Sequence, residues 1–376
     1  MARLSQKLGL MGRRIKKILT DILRYSQLDP FPIAKSAQGY KREYLPGDLK
    51  AALNVALLAF PQGMAYAVIA GLPIEYGIYG SAIAAIIGPV FSGSRFIMLG
   101  PTNATSVLLP VAIGTLAVTI EQKLTLVPLL LIMAGLVLIL GAVFRVANLT
   151  QYISRSVVTG YITAAAFYII VNQIKKVFGL DFEKELDATL VDVIYLTVTH
   201  FNETHVPSLV LGLTTAALYM LLQRFLPALP NVALTLLAMS FVGFGMDWVL
   251  TNVDSFRGSF NGSIELLYAI DASQWRPTLP TLDYNAITEL AGPAFVIAFL
   301  CILEGSSIGK SLAARAGEKL NTNQEMFAMG IANLTCGFGG GMPASGSLTR
   351  SKLNDDTGAR TPFASIFCGI LCIIGA

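Results

Sequence analysis

Charge is scarce in this chain. Only 13% of its 376 residues are Asp, Glu, Lys or Arg, against about 25% in an ordinary soluble domain. That scarcity excludes a conventional water-soluble fold, and the formal charge of +4 says little about nucleic acid, which is not an expected partner, because its distribution along the chain explains it better. Histidine is rarer still. His200 and His205 lie in one polar stretch without ligand spacing and are expected to face solvent. The four cysteines, Cys301, Cys336, Cys368 and Cys372, lie in or beside apolar segments, so they read as small buried hydrophobes, with no disulfide framework or metal site. No nucleophile–base pair or metal cluster stands at membrane depth, so neither an enzyme nor a cofactor is expected. The first 47 residues do not read as a cleavable signal, because a basic start leads into an amphipathic pattern (Leu8, Met11, Ile15, Ile18, Leu19, Ile22, Leu23) with no signal-type apolar core. That segment suits either a helix lying on membrane lipid or a solvated, partner-contacting arm.

What is present is apolar sequence: 54% of the chain is hydrophobic, with mean hydropathy +0.63. Runs approaching the ~20 residues that cross a bilayer recur. The expected spans are 49–69, 76–91, a half-length helix over 102–120, 125–143, 156–174, 207–223, 229–250, 287–312, 325–336, a short tenth helix, and an eleventh starting at Pro362. The connections 175–206 and 251–285 read as long polar loops. Eleven of the 27 Lys and Arg precede Ala51, which places the N-terminus inside. From that start, Arg95, Arg145 to Arg155, Arg224, Lys310 to Lys319 and Arg350 to Arg360 all fall on the cytoplasmic side, and the two acid-richer loops fall outside.

Two stretches interrupt this pattern. Gly100-Pro101-Thr102-Asn103-Ala104-Thr105-Ser106 is one, and Gly337 to Pro343 leading into Ser345-Gly346-Ser347-Leu348-Thr349-Arg350 is the other. Broken backbone at membrane depth is tolerated only where protein or a water-filled cavity supplies hydrogen bonds. The first break is approached from inside and the second from outside, so the following helices start at mid-depth with their N-termini opposed, as in an inverted repeat. Opposed N-termini carry unpaired amides and partial positive charge, which favours an anion.

Asn54 to Ala67 followed by Ala70-Gly71-Leu72-Pro73, then Tyr76-Gly77-Ile78-Tyr79-Gly80 and Ser92-Gly93-Ser94-Arg95, resemble the first two spans of the SulP sulfate-permease family, with Gly88 standing where Tyr or Ile is common. Asn323-Gln324-Glu325, Gly330-Ile331-Ala332-Asn333, Pro343 to Ser351 and Gly358 to Pro362 resemble its most distinctive region. The resemblance covers 48–376. It implies an all-α polytopic membrane protein with a seven-plus-seven inverted repeat, two half-helices preceded by short strands, core spans over 48–145 and 286–376, and gate spans over 152–250. It further implies elevator-type transport of a small inorganic anion, most simply sulfate, by a homodimer in the plasma (inner) membrane. Lys352, Asp355 and Asp356 depart from the small or uncharged residues usual there. The sequence stops at Ala376 within the eleventh span and includes no STAS domain, so it reads as part of a longer protein.

The candidate anion ligands are Ser345, Gly346 and Ser347 from one half-helix start and Thr102, Asn103 and Ala104 from the other. Close helix packing by small residues is the alternative for the first set. Arg350 stands either as a cation beside the anion or as an ordinary cytoplasmic charge. Gln62 and Tyr66, one turn apart, share a helix face and can donate without fixed charge, or simply pack. Glu304 lies within an apolar span, where a carboxylate marks a functional site by default; the resemblance ties it to proton or sodium coupling, and a structural hydrogen bond is the alternative. Gly305-Ser306-Ser307-Ile308-Gly309-Lys310-Ser311 is not a P-loop, having one residue too few between its glycines and lying on a span. The triplets at Asn202 and Asn261 fit glycosylation only weakly. Bicarbonate or dicarboxylate carriage, an anion channel or voltage-responsive motor, and a nucleobase-type symporter are the rival functions.

Overall fold

The computed structural model describes residues 25–114, 116, 119–152, 155–180, 190–226, 231–252, 275, 279–280 and 283–376. The expected amphipathic positions from Leu8 to Leu23 lie outside the described residues, as does most of the 251–285 connection. The described residues form helices α1 (Ile33–Gln38), α2 (Leu45–Ile69), α3 (Ile74–Phe91), α4 (Asn103–Ile113), α5 (Ile120–Val143), α6 (Arg155–Val177), α7 (Leu190–Thr199), α8 (Val206–Phe225), α9 (Asn231–Asn252), α10 (Tyr284–Ala316), α11 (Thr322–Phe338), α12 (Leu348–Asp356) and α13 (Phe363–Ile374). Two strands, β1 (Leu99–Gly100) and β2 (Ser345–Gly346), precede α4 and α12. Among the described residues, six helices are long and apolar enough to cross a membrane: α2, α3, α5, α8, α9 and α10.

The chain divides into two compact units. The first comprises 1–113, 117–154 and 273–376, and the second 114–116 and 155–272. In the first unit the order helix, helix, strand, half-helix, helix occurs twice, as α2-α3-β1-α4-α5 and α10-α11-β2-α12-α13. The strands pair antiparallel, with Leu99 opposite Gly346 and Gly100 opposite Ser345. That pairing gives the two repeats opposite direction, as the expected inversion requires. Packing follows the small residues: α11 lies along α5 and α3, and α13 along α3 and α2. Ala52, Val55, Ala56, Ala59, Ala82, Met98, Cys368 and Cys372 form one buried cluster.

Several boundaries differ from expectation for identifiable reasons. The half-helix α4 ends at Ile113 rather than near 120. Thr119 instead caps the next helix: its hydroxyl accepts from Gln122 N–H at 3.3 Å, while the Gln122 side chain accepts from Thr119 N–H at 3.2 Å. The stretch 175–206 is not all loop, because Leu190–Thr199 forms α7, with Val193 and Thr197 buried one turn apart. His205 is buried at 7% exposure rather than solvent-facing. It precedes α8, where its Nδ1 lies 2.8 Å from Ser208 Oγ and its N–H donates to Phe178 O.

The ends of the first unit are tied by polar clamps. Asp48, fully buried, accepts from Arg360 N–H at 2.7 Å, Thr361 N–H at 3.1 Å and the Thr361 hydroxyl at 2.6 Å, joining the start of α2 to the start of α13. Glu325, also buried, accepts from the Ser92 hydroxyl at 2.6 Å and Gly93 N–H at 3.0 Å, joining α11 to the end of α3. The neighbouring Gln324 side chain brackets Asp29, accepting its N–H at 2.8 Å and donating to its carbonyl at 3.0 Å. Lys35, 2.6 Å from Asp29, holds that carboxyl below its ordinary value through a charged hydrogen bond. Replacing Asp48 by Ala removes three hydrogen bonds to a buried charged acceptor and leaves their donors unserved. We expect a stability loss of about 3 kcal/mol, read as a lowered unfolding midpoint in detergent, with Asp48→Asn losing less.

Candidate functional site

The candidate site stands where the two breaks meet inside the first unit. A backbone that leaves helical geometry must find partners for its polar groups, and here side chains supply them. Pro343 O accepts from the Thr105 hydroxyl at 3.2 Å. Ala344 N–H donates to Asn333 Oδ1 at 2.9 Å, and Ala344 O accepts from Asn333 Nδ2 at 2.7 Å. Just before the other strand, Met98 N–H donates to Ser351 Oγ at 2.9 Å, and Met98 O accepts from Ser347 N–H at 3.0 Å. Thr105, Asn333 and Ser351 were not among the sequence candidates. The available signals were that Thr105 lies within the first break, Ser351 closes the motif after the second, and Asn333 is a polar side chain in an apolar segment, where such groups are costly unless partnered.

These bonds correct which amides remain for a ligand. Ser345 and Gly346 are strand residues, and Ser347 N–H is engaged by Met98 O, so the amides of 345–347 are not a free helix start. Helix α12 begins at Leu348, and Ser347 is its N-cap, its hydroxyl accepting from Arg350 N–H at 3.4 Å. First-turn amides without intrahelical partners are therefore those of Leu348 and Thr349. At the other break, Thr102 N–H donates to Thr105 Oγ1 at 3.0 Å. The first-turn amides of α4 then belong to Asn103, which is exposed, and Ala104, which is buried.

Arg350 is the most informative side chain. It is 2% exposed, so it is not a cytoplasm-facing charge. Its Nη2 donates to Pro101 O, at the threshold of α4, while its Nε is buried without a partner. Among the described residues it forms no salt bridge. Gly100 makes room for it, since a Cβ there would collide with the guanidinium. Gly346 likewise lets β2 lie against α10, where an added Cβ would stand 3.0 Å from Gly305 Cα.

Glu304, one residue before that contact, accepts from the Thr102 hydroxyl at 3.0 Å and is partly buried. Tyr66 is buried at 7% exposure and lies within electrostatic reach of both Arg350 and Glu304. Gln62 is half-buried on the same helix, and its Oε1 has no partner. The fold thus gathers a buried cation, a carboxylate and hydroxyls from α2, α4, α10 and α12. Among the described residues no group of His, Cys, Asp and Glu could hold a metal ion.

The Sulfate permease family model matches residues 45–375. The chain belongs to the sulfate permease family. A "probable sulfate transporter" of Mycobacterium tuberculosis is 30% identical over 341 residues, covering 89% of this chain and 58% of the relative. Human solute carrier family 26 member 6 is 28% identical, covering 89% of this chain and 45% of that protein. The chain therefore spans about half the length of these sulfate-permease relatives. Among solved structures, the transmembrane domain of the cyanobacterial bicarbonate transporter BicA has a TM-score of 0.77 at 18% identity, covering 89% of this chain and 83% of that one. The murine Solute Carrier 26 family member A9 anion transporter, in its inward-facing state, has a TM-score of 0.76 at 19% identity, covering 92% of this chain and 58% of that one. These likenesses establish the fold: a multi-pass membrane domain of the sulfate permease type. In this member of the family, Gly100→Ala should push the Arg350 side chain off the Pro101 carbonyl. We expect the loss of that charge-assisted hydrogen bond to cost about 2 kcal/mol of stability, read as a lowered unfolding midpoint in detergent.

Proposed function

We propose that this protein is a secondary active transporter of a small inorganic anion, with sulfate the first candidate, working by elevator-type alternating access. One observation carries the reading: a fully buried guanidinium, Arg350, with an unpartnered Nε and no carboxylate paired to it among the described residues. A buried charge left unneutralised costs several kcal/mol, and a bound anion removes that cost. Thr102, Asn103, Ala104, Ser345, Gly346 and Ser347 frame the place where the anion would sit, with Gln62 and Tyr66 on its third side. The backbone donors are then the first-turn amides of α4 and α12. Relatives named as sulfate transporters support sulfate, and the likeness to the bicarbonate transporter BicA makes bicarbonate the nearest rival.

In this reading the first unit is the moving core that carries the ion, and 152–250 holds the gate spans. Glu304, bonded to Thr102 at the same place, couples anion movement to a proton or sodium ion. A cation bound at Glu304 would offset part of the negative charge that the anion brings to the same place. The N-terminus is cytoplasmic, the membrane is the plasma (inner) membrane, and the working form is a homodimer.

The test is uptake of labelled sulfate, bicarbonate and fumarate into proteoliposomes under separate proton and sodium gradients. Arg350→Ala and Ser347→Trp should each reduce uptake at least about a hundredfold while the protein still inserts and unfolds cooperatively. Unchanged uptake in either variant rejects the site. Glu304→Gln should leave anion exchange measurable but abolish its dependence on the gradient; retained dependence removes Glu304 from coupling.

A further inference from the structure

The segment that delivers the second half-helix, Gly339 to Ala344, is non-helical, yet it is held at several points along its length. Trp275, stacked on Tyr79 with ring centroids 4.8 Å apart, donates to Gly339 O at 2.6 Å. Gly341 approaches the backbone of α3, where an added Cβ would lie 3.0 Å from Gly80 Cα. At the far end one side chain holds Ala344 on both of its backbone polar groups. Asn333 Oδ1 accepts the Ala344 N–H, and Asn333 Nδ2 donates to the Ala344 carbonyl. The same Nδ2 also donates to Met329 O at 2.8 Å, one turn back on α11, so the amide is anchored to its own helix while it grips the strand.

This is the pattern by which a neighbouring strand reads a residue, made instead by one carboxamide. Asn333 is completely buried, and a carboxamide offers an acceptor beside a donor with two hydrogens, both of which are used here. Asp would keep the acceptor and lose at least one of the two donated bonds, and an isosteric apolar residue would lose all three. Ala344 is the last residue before β2, whose pairing with β1 sets Ser347 and hence the start of α12. A small movement at Ala344 therefore reaches the α12 amides and Arg350 along a short, stiff path.

We propose that Asn333 is a positioning residue of the anion site: its two-point grip on Ala344 sets the register of β2, and so the place where α12 presents its amides and Arg350 to the anion. The proposal rests on reading that place as the anion site, and it assigns Asn333 no contact with the ion. Asn333→Asp and Asn333→Leu in the full-length protein test it by two readouts. In proteoliposomes the KM for labelled sulfate should rise about tenfold in Asn333→Asp and further in Asn333→Leu, with the maximal rate per folded carrier within about threefold of the parent. In parallel, backbone amide exchange over 344–350 should quicken about tenfold, while exchange over 206–225 in the other unit stays at the parent rate. An unchanged KM with only less folded protein, or exchange quickened uniformly along the chain, overturns the proposal and leaves Asn333 a general packing residue. Should Asn333→Leu fail to fold, Asn333→Asp carries both readouts. A parent protein that moves none of sulfate, bicarbonate and fumarate instead defeats the transport reading, and the localised exchange change then decides the grip on its own.

Discussion

A peptide group stripped of water inside a bilayer must be hydrogen-bonded by something, and the sulfate permease fold meets that demand at two places where its helices stop. Each break contributes a two-residue strand, and pairing them uses up backbone groups that neither could satisfy alone. What the ladder leaves is served by Thr105, Asn333, Ser347 and Ser351, drawn from three helices and a helix cap. The breaks are therefore rigid constructions. In the proposed reading rigidity matters, because an anion stripped of hydration is held well only by donors already aimed at it.

Buried charge is treated unequally across the first unit. Asp48 and Glu325 are carboxylates without a salt-bridge partner among the described residues, yet each is met by hydroxyl and amide donors that tie helix ends together. Arg350 has the Pro101 carbonyl and keeps a buried N–H unserved. Gly100 supplies the space for its guanidinium, which any side chain there would fill. The carboxyl groups that tie helix ends have their hydrogen-bond partners, and the guanidinium of Arg350 keeps one donor without a partner.

Much of the architecture was legible in the sequence alone, because bilayer thickness imposes a length on every span and the Gly- and Pro-containing stretches around 100–102 and 339–347 interrupt the helices there. The inversion was also legible, since two breaks entered from opposite sides must face each other. Local details escaped for local reasons. The half-helix stops at Ile113 because Thr119 and Gln122 cap the next helix, a reciprocal bond that an apolar run conceals. His205 turned inward and α7 emerged from a stretch that composition marked as loop, because Val193 and Thr197 found a buried surface to pack against.

The candidate site divides along the same line. Residue types and order were enough to single out Gln62, Tyr66, Thr102, Glu304, Ser347 and Arg350, because polar groups in apolar spans are too costly to be incidental. Which of their atoms remain free for a ligand is a question of partners, and partners come from residues hundreds of positions away. Only the folded chain decides that Ser347 gives its amide to Met98 and its hydroxyl to the cap, that Thr102 serves Glu304, and that Arg350 lies buried against Pro101. Sequence sets where the helices must break, since propensity and hydrophobicity act locally; tertiary structure sets what the breaks can bind, since hydrogen-bond saturation is settled across the whole core.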